Sequence, residues 1–233
     1  MKAALVSGTS IANSQLFSAW TDGRATTPYG EVAYKTKGDL LLLNRHGPQG
    51  KLPPHALNHR ANFRALADLG FQDIVAFNSV GSLQASLPPG SLVSCQDYVS
   101  MQQAPVTYFD TELKGGAPGI ANNLVPMFTA KLAPEFQVLP GKVYVHMCGP
   151  RFETKAEIRV IQHWGDVVGM TLAPEADLCV ELGLRYNSLA MVDNYANGLE
   201  GSAIDYEKFR ELVKTNQQRV DRLLTRLLEI LAQ

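Results

Sequence analysis

Residues 145–175 read VHMCGPRFETKAEIRVIQHWGDVVGMTLAPE, and their pattern predicts a strand, a turn, a helix and a second strand in succession. An apolar strand-like run ends at Met147, and Gly149-Pro150 follows it as a turn. The pattern predicts a helix over Phe152–Trp164, and a second short apolar run then leads to Thr171. This order predicts a βαβ unit. Because open α/β sheets bind ligands beside the carboxyl ends of their strands, the residues after these two runs are candidates for a binding site.

Four side chains with different chemistry follow those strand ends. They are the aromatic ring of Phe152, the carboxylate of Glu153, the thioether of Met170 and the hydroxyl of Thr171. Together they suit the binding of a flat polar ring that is joined to a sugar and an anion.

Length and composition exclude several classes of protein. The chain has 233 residues, 45% of them hydrophobic, and a formal net charge of −1. We therefore expect one α/β domain over residues 1–233, with no nucleic-acid partner, because there is no basic excess to attract one. Cys95, Cys148 and Cys179 are odd in number and widely spaced, which indicates a reducing compartment and not a disulfide framework. No apolar run is long enough for a membrane span, so we expect a cytoplasmic protein.

Three other predicted strand ends carry small or polar residues. Ser7–Ser10 is a small-residue turn whose backbone N–H groups can approach an anion, although it lacks the spacing of the known phosphate-loop motifs. Arg45 and His46 follow a later strand, and both side chains can donate hydrogen bonds to phosphate. Asn78–Ser82 is a second small-residue loop. Taken singly, each also fits an ordinary turn or a solvated surface.

Five motifs, in this order, resemble the family of trimeric purine nucleoside phosphorylases and methylthioadenosine phosphorylases. Within it the chain looks closest to the bacterial S-methyl-5′-thioinosine phosphorylases. The motifs are RHG (45–47), NxRAN (58–62), VGSL (80–83), GPRFETxAE (149–157) and VGMTxxPE (168–175).

The resemblance implies a fold and an activity. The fold is α/β, with a central mixed, mostly parallel twisted sheet flanked by helices. The activity is cleavage of a purine ribonucleoside by inorganic phosphate, which releases the base and ribose 1-phosphate or its 5-methylthio form. Phosphate is a co-substrate, and neither a cofactor nor a metal is implied. The family also implies a homotrimer, for which the irregular segment Ser100–Gly119 is our candidate for a wall donated to the neighbouring subunit.

The resemblance also implies a role for each candidate site residue. The phosphate site comprises Thr9, Arg45, His46, the backbone N–H of Ser79, and Thr171. The base site comprises Phe152, Glu153, Val168 and Asn194, and Met170 lies under the ribose. The residues expected to carry catalysis are Asn194, Glu153, Arg45 and His46.

These roles agree with the chemistry of the reaction. Phosphate held by Arg45 can stabilise an oxocarbenium-like sugar and then attack its anomeric carbon. The leaving purine gains negative charge, and the amide of Asn194 can donate a hydrogen bond to it. The carboxylate of Glu153 can accept from the N1–H that only 6-oxopurines carry.

Two departures from the family pattern concern specificity. Adenine-selective members carry Asp, a spacer and Asp where this chain has Asn194, Tyr195 and Ala196, which argues against 6-aminopurines. Nucleoside-type members place a histidine in the later segment to meet the 5′-hydroxyl, and no histidine follows His163 here. The residues available instead predict an apolar 5′ pocket suited to a methylthio group: Ile204, Tyr206 and Phe209.

The leading interpretation is a phosphorylase for 6-oxopurine nucleosides, with 5′-methylthioinosine as one candidate substrate. A methylthioadenosine phosphorylase is the alternative within the same fold. A hydrolytic nucleosidase, which would not need Arg45, and a silent nucleoside-binding module are less favoured.

Overall fold

The computed structural model describes residues 1–11, 14–101, 104–201, 207, 211 and 215–233. Within these residues the strands are β1 (Ala3–Ser7), β2 (Thr21–Thr27), β3 (Gly30–Lys37), β4 (Leu40–Asn44), β5 (Asp73–Ser82), β6 (Leu92–Ser100), β7 (Val138–His146), β8 (Val167–Gly169) and β9 (Arg185–Tyr195). The α-helices are α1 (His59–Asp68), α2 (Val125–Leu132), α3 (Lys155–Ile161), α4 (Leu172–Leu182) and α5 (Gln217–Leu231).

The strands form one mixed sheet in the order β2-β3-β4-β1-β5-β8-β7-β6-β9. Five of its nine pairings are parallel: β1 with β4 and β5, β5 with β9, and β7 with β6 and β8. The predicted fold class is therefore confirmed. The additional pairing of β5 with β9 closes β5, β8, β7, β6 and β9 into a ring, which strand patterns alone did not predict.

Helices cover both faces of the sheet, so the central strands are apolar on both sides. Along β1 the side chains alternate between two clusters, because successive side chains of a strand point to opposite faces. Val6 joins the cluster that contains Phe63 of α1, and Leu5 joins the cluster that contains Phe128 of α2 and Leu224 of α5. This double coverage explains why β1 reads as a continuous hydrophobic run.

The βαβ unit predicted from residues 145–175 is present. β7 and β8 pair in parallel, and α3 connects them. The helix begins at Lys155 and not at Phe152, because Thr154 and Glu157 form a capping box at its N-terminus. The two residues before the cap, Phe152 and Glu153, therefore stay in the loop beyond the end of β7.

Two predicted element boundaries differ from the structure. The apolar spacing of the residues before Gly70 predicts one helix from Pro54 to Leu69. The structure divides it into a short 3-10 turn and α1, because the side chain of Asn58 caps α1 by accepting from Ala61 N at 3.0 Å. Asn78–Ser82, predicted as a loop, is the continuation of β5, where pairing with β9 supplies backbone partners that the local sequence does not reveal.

An apolar stripe at helical spacing near the C-terminus predicts one long amphipathic helix over Asp205–Leu231. The part of this helix from Gln217 onwards is α5. Three earlier residues of the stripe lie outside the described residues: Phe209, Leu212 and Val213. Over the part of the chain that the structure describes, no helix is both long and apolar enough to cross a membrane.

Candidate active site

The loops after β1 and β4 meet at Gly8. A Cβ atom on Gly8 would lie 2.6 Å from Cδ2 of His46 and 3.3 Å from Cγ of Arg45, so only glycine permits this approach. Thr9 follows directly, at the start of a 3-10 turn. The structure thus brings together Thr9, Arg45 and His46, three of the predicted phosphate ligands.

Arg45 is buried, with 3% of its surface exposed, and its guanidinium is held from three sides. Nε and Nη2 donate to the carboxylate of Glu175 at 2.6 and 3.2 Å, respectively. Nη1 donates to Phe77 O at 3.1 Å, and Nη2 also donates to Val6 O at 3.1 Å. Among the described residues, four of its five N–H donors have partners, and one on Nη1 is available to a ligand. Burial by itself lowers the pKa of Arg45, but the attraction of Glu175 outweighs it and the pKa is raised.

Glu175 was not among the predicted site residues. It lies in the first turn of α4 with no exposed surface, and it also accepts from Tyr186 Oη at 2.8 Å. His59 Nδ1 is 3.9 Å from its Oε1, and burial, followed by the charge of Arg45, lowers the pKa of His59 to about 3. His59 is therefore neutral at physiological pH, and the ion pair is formed by Arg45 and Glu175. The sequence signal that could have identified Glu175 is its place in the first turn of a predicted helix, directly after the predicted site residue Thr171.

His46, beside Arg45, is neutral and can accept a hydrogen bond. Its Nδ1 is 2.6 Å from the carbonyl of Leu52, which can only accept, so we assign the proton to Nδ1. Burial is the main reason that the pKa of His46 is lowered. The free Nε2 lies on the side of Gly8, where a Cβ would be 2.7 Å away. From there it can accept from a protonated phosphate oxygen.

The remaining predicted phosphate ligands lie on neighbouring strands. Asn78 Nδ2 donates to Thr171 Oγ1 at 2.8 Å, and this bond joins β5 to the end of β8. The hydroxyls of Ser79 and Ser10 are 2.9 Å apart, and this contact joins β5 to the turn that carries Thr9. Because β4, β1, β5 and β8 are consecutive in the sheet, all five predicted ligands occupy one continuous edge. We call it the anion end: Thr9, Arg45, His46, Ser79 and Thr171.

Val168 and Asn194 flank Gly81. Both residues pair with Gly81 across the sheet, and a Cβ on Gly81 would lie 3.3 Å from Val168 Cγ1 and 3.5 Å from Asn194 Nδ2. The Asn194 amide donates to Tyr195 O at 2.7 Å, which sets the orientation of its side chain. Two of the predicted base contacts, on β8 and β9, are therefore brought together at Gly81 of β5.

The loop after β7 contacts the residues that follow β9, next to Asn194. Asn197 Nδ2, just beyond β9, donates to Glu153 O at 3.0 Å. The Glu153 side chain is buried, and burial raises the pKa of its carboxyl. Phe152, the preceding residue, is half-buried. Met170 lies close to Gly149, because a Cβ atom on Gly149 would be 2.6 Å from the Met170 sulfur. The β7 loop, the end of β8 and the end of β9 thus approach one another.

Three predicted residues of the 5′ pocket, Ile204, Tyr206 and Phe209, lie outside the described residues. Their role remains a prediction. Asp193 is a buried acid that sequence reasoning missed, although a carboxylate at the end of the apolar run LAMVDN was a visible signal.

Comparison with known proteins identifies the family. The model of the phosphorylase superfamily matches residues 4–229. A protein of Archaeoglobus fulgidus named "Probable 6-oxopurine nucleoside phosphorylase" is 36% identical over 218 residues, which cover 91% of this chain and 89% of the relative. A "Probable S-methyl-5′-thioinosine phosphorylase" of Methanocaldococcus jannaschii is 34% identical, with 93% and 87% covered.

A solved structure shows the same fold. Methylthioadenosine phosphorylase from Schistosoma mansoni in complex with adenine superposes with a TM-score of 0.86 at 25% identity, covering 100% of this chain and 92% of that chain. The family match extends over nearly the whole sequence, and the relatives are more than 30% identical over most of it. The chain therefore belongs to the phosphorylase superfamily.

Proposed function

We propose that this chain is a purine nucleoside phosphorylase that cleaves 6-oxopurine ribonucleosides, with 5′-methylthioinosine as a candidate substrate. Its products are the free base and ribose 1-phosphate, or the 5-methylthio form of that sugar. One observation carries the proposal: Val168 and Asn194 both pair with Gly81 of β5, two residues after the predicted phosphate ligand Ser79, so the base contacts and the anion end share this part of the sheet. The names and solved fold of the relatives support it.

In the proposed reaction, phosphate binds at the anion end. The free N–H of Arg45, the hydroxyls of Thr9 and Thr171 and the backbone N–H of Ser79 donate to it. The C1′–N9 bond breaks as its electron pair moves into the purine, and a phosphate oxygen forms the new bond to C1′ from the opposite face. Because the phosphate is held next to the cationic sugar, it stabilises the transition state as well as attacking it.

The charges at the anion end indicate that phosphate is recognised by the positions of hydrogen-bond donors more than by net positive charge. Arg45 is neutralised by Glu175 at 2.6 Å, and His46 and His59 have lowered pKa values that keep them neutral. A phosphate dianion would therefore meet a set of fixed hydrogen-bond donors with little excess positive charge. This arrangement favours release of a charged product after each turnover.

Base choice is proposed to depend on Glu153 and Asn194. Arg151, two residues before Glu153, forms its ion pair with Glu157 at 2.8 Å. A buried carboxylate with a raised pKa suits a donor such as the N1–H of a 6-oxopurine. Adenine carries a lone pair at N1 and offers this carboxylate no donor, and such a polar mismatch costs about 1–3 kcal/mol.

A methylthioadenosine phosphorylase is the second candidate. The observation that favours it is the match to a methylthioadenosine phosphorylase over the whole of this chain. The departure at Asn194 and Ala196 from the Asp-spacer-Asp pattern argues against it.

The test is to incubate the protein with inosine, 5′-methylthioinosine, adenosine and 5′-methylthioadenosine, each with and without phosphate, and to measure base release. We expect release that requires phosphate and is faster for the two 6-oxopurine substrates. Thr171→Val, which keeps the volume and removes the hydroxyl, should raise the KM for phosphate by about tenfold. Equal release in phosphate-free buffer would identify a hydrolase and contradict the proposal.

The remaining expectations are also proposals. A homotrimer is supported by the segment from residue 104 to 120, which forms neither helix nor strand and leaves Leu113 fully exposed for a neighbour to cover. A fully active monomer in sedimentation experiments would contradict it. The free cysteines, two of them buried, support a reducing, cytoplasmic location. The proposed steps use the side chains and phosphate, without a cofactor.

A further inference from the structure

Asn78 is a polar residue at a fully buried position of β5. The residues from Ile74 to Phe77, which precede it in the strand, are apolar and have no exposed surface. Asn78 is 1% exposed, and its Oδ1 has no hydrogen-bond partner among the described residues. A buried amide oxygen without a donor costs free energy, and an apolar side chain would avoid that cost. An asparagine at this position therefore calls for an explanation other than stability.

The side chain of Asn78 makes one hydrogen bond among the described residues, and it is made to a predicted phosphate ligand. Nδ2 of Asn78 donates to Oγ1 of Thr171 at 2.8 Å. Thr171 is 8% exposed, so its hydroxyl lies closer to the protein surface than the amide does. Any effect of Asn78 on a ligand at the anion end therefore passes through Thr171.

The hydroxyl of Thr171 does not cap the helix that it precedes. Thr171 is the N-cap residue of α4, where a threonine side chain usually accepts a hydrogen bond from the first turn of the helix. Thr154 does so at α3, where its Oγ1 accepts from Glu157 N at 3.1 Å. Thr171 makes no such bond, and its backbone N–H donates to Tyr144 Oη at 3.3 Å. The side-chain oxygen is instead held by Asn78.

The direction of this hydrogen bond determines what Thr171 can offer to a ligand. A threonine hydroxyl has one proton and two lone pairs. Because Nδ2 of Asn78 can only donate, it occupies a lone pair of Oγ1 and leaves the proton of the hydroxyl free. If the amide were turned the other way, Oδ1 would accept that proton. The orientation of Asn78 therefore decides whether Thr171 can donate to an anion.

We propose that Asn78 is a positioning residue for the anion end, which directs the proton of the Thr171 hydroxyl toward the bound phosphate. The inference rests on the proposed function, in which Thr171 is a phosphate ligand. A donor that is already oriented needs no reorganisation when the anion binds, and it therefore contributes more to binding. Without Nδ2 of Asn78, the hydroxyl is free to rotate and to accept from the first turn of α4 instead.

The experiment is a double-mutant cycle in which calorimetry measures the binding of inorganic phosphate at one pH. Wild type, Asn78→Val, Thr171→Val and the double variant are compared, and valine is chosen because it suits a strand and has no donor. We expect Asn78→Val to bind phosphate several-fold more weakly than wild type, and Thr171→Val about tenfold more weakly. The double variant should bind no more weakly than Thr171→Val, because Asn78 acts only through the missing hydroxyl.

Thr129→Val is the matched control. The hydroxyl of Thr129 donates to Val125 O at 2.9 Å within α2, outside the anion end. This variant loses the same hydroxyl as Thr171→Val does, and it should bind phosphate like wild type. If phosphate binds too weakly for calorimetry, the KM for phosphate provides the same comparison among the variants.

A merely structural role of Asn78 would give a different pattern. The loss caused by Asn78→Val would then appear again in the double variant, which would bind phosphate several-fold more weakly than Thr171→Val, and the positioning role would be wrong. The role is also wrong if either Asn78→Val or Thr171→Val binds phosphate like wild type. Asn78→Ala replaces Asn78→Val in the cycle if the valine variant fails to fold.

Inosine phosphorolysis by the wild type, measured in parallel, separates this inference from the proposed function. Phosphorolysis together with a cycle that departs from the expected pattern overturns only the role of Asn78. The expected cycle without phosphorolysis supports that role and overturns the proposed function. A wild type that neither binds phosphate nor uses it overturns both.

Discussion

Replacing Glu175 by alanine should destabilise the protein strongly, because it leaves the charge of Arg45 in the core without its counter-ion. The carboxylate is fully buried and takes two of the four hydrogen bonds made by Arg45. Removing one partner of a buried ion pair costs about 3–5 kcal/mol. Arg45 retains the carbonyls of Val6 and Phe77, so we expect the lower end of that range, about 3 kcal/mol. For a chain of this length, such a loss lowers Tm by roughly 6–12 °C.

The assay is urea unfolding at a fixed protein concentration in phosphate-free buffer, so that neither ligand nor assembly alters the apparent stability. Glu229→Ala is the matched control, because Glu229 pairs with Arg226 on the exposed surface and should change stability by less than about 1 kcal/mol. Tyr186→Phe removes only the bond to Glu175 and should cost about 1 kcal/mol.

A double variant tests the cause. If the cost comes from the unpaired charge of Arg45, then Arg45→Met combined with Glu175→Leu should be more stable than Glu175→Ala, since two apolar side chains leave no buried charge. Two results would refute this reasoning: a loss below about 1 kcal/mol in Glu175→Ala, or a double variant that is no more stable than the single one.

Three further predictions concern specificity, pH and packing. Asn194→Asp should narrow or reverse the preference for inosine-type over adenosine-type substrates, measured as the ratio of kcat/KM values; an unchanged ratio would remove Asn194 from base choice. Asp193→Asn should be more stable than wild type at neutral pH by up to about 3 kcal/mol. In wild type, a pKa of Asp193 raised from 3.8 to about 6 contributes stability that is present below about pH 4 and is lost as pH rises through 6. Urea unfolding across this range should show that the stability of the variant depends less on pH, and parallel pH dependences would contradict the prediction. Gly8→Ala should raise the KM for phosphate by about tenfold, because its Cβ would meet His46 at 2.6 Å; a KM equal to that of wild type would show that the approach of these loops is not needed.

Most of the anion end was predictable because its residues follow strands with clear local patterns. Arg45-His46 comes after a run of leucines and Thr9 after the first buried strand, and parallel strands bring such ends to one edge. The capping box at Thr154 and Glu157 is likewise a local signal that sets where α3 begins. These features depend on neighbours within a few residues along the chain.

Other parts of the site depend on contacts between distant residues, and no local pattern shows them. The bond between Arg45 and Glu175 joins positions 130 residues apart, and the extension of β5 through Ser82 requires the partner strand β9. The register shift that makes Asp193 an extra residue of β9 appears only when β5 and β9 are aligned. Secondary-structure propensity is a property of one segment, whereas these features depend on how two distant segments align.

Periodicity and short motifs are local properties, so the α/β class, the family and the chemical types of the residues at the strand ends follow from the sequence. The closure of a ring by β5 and β9, the neutralisation of Arg45 by Glu175 and the burial of Asp193 appear only in the folded chain. Burial and pairing depend on which segments exclude water from each other. A carboxylate or guanidinium acquires its pKa, and its available donors, only in that environment.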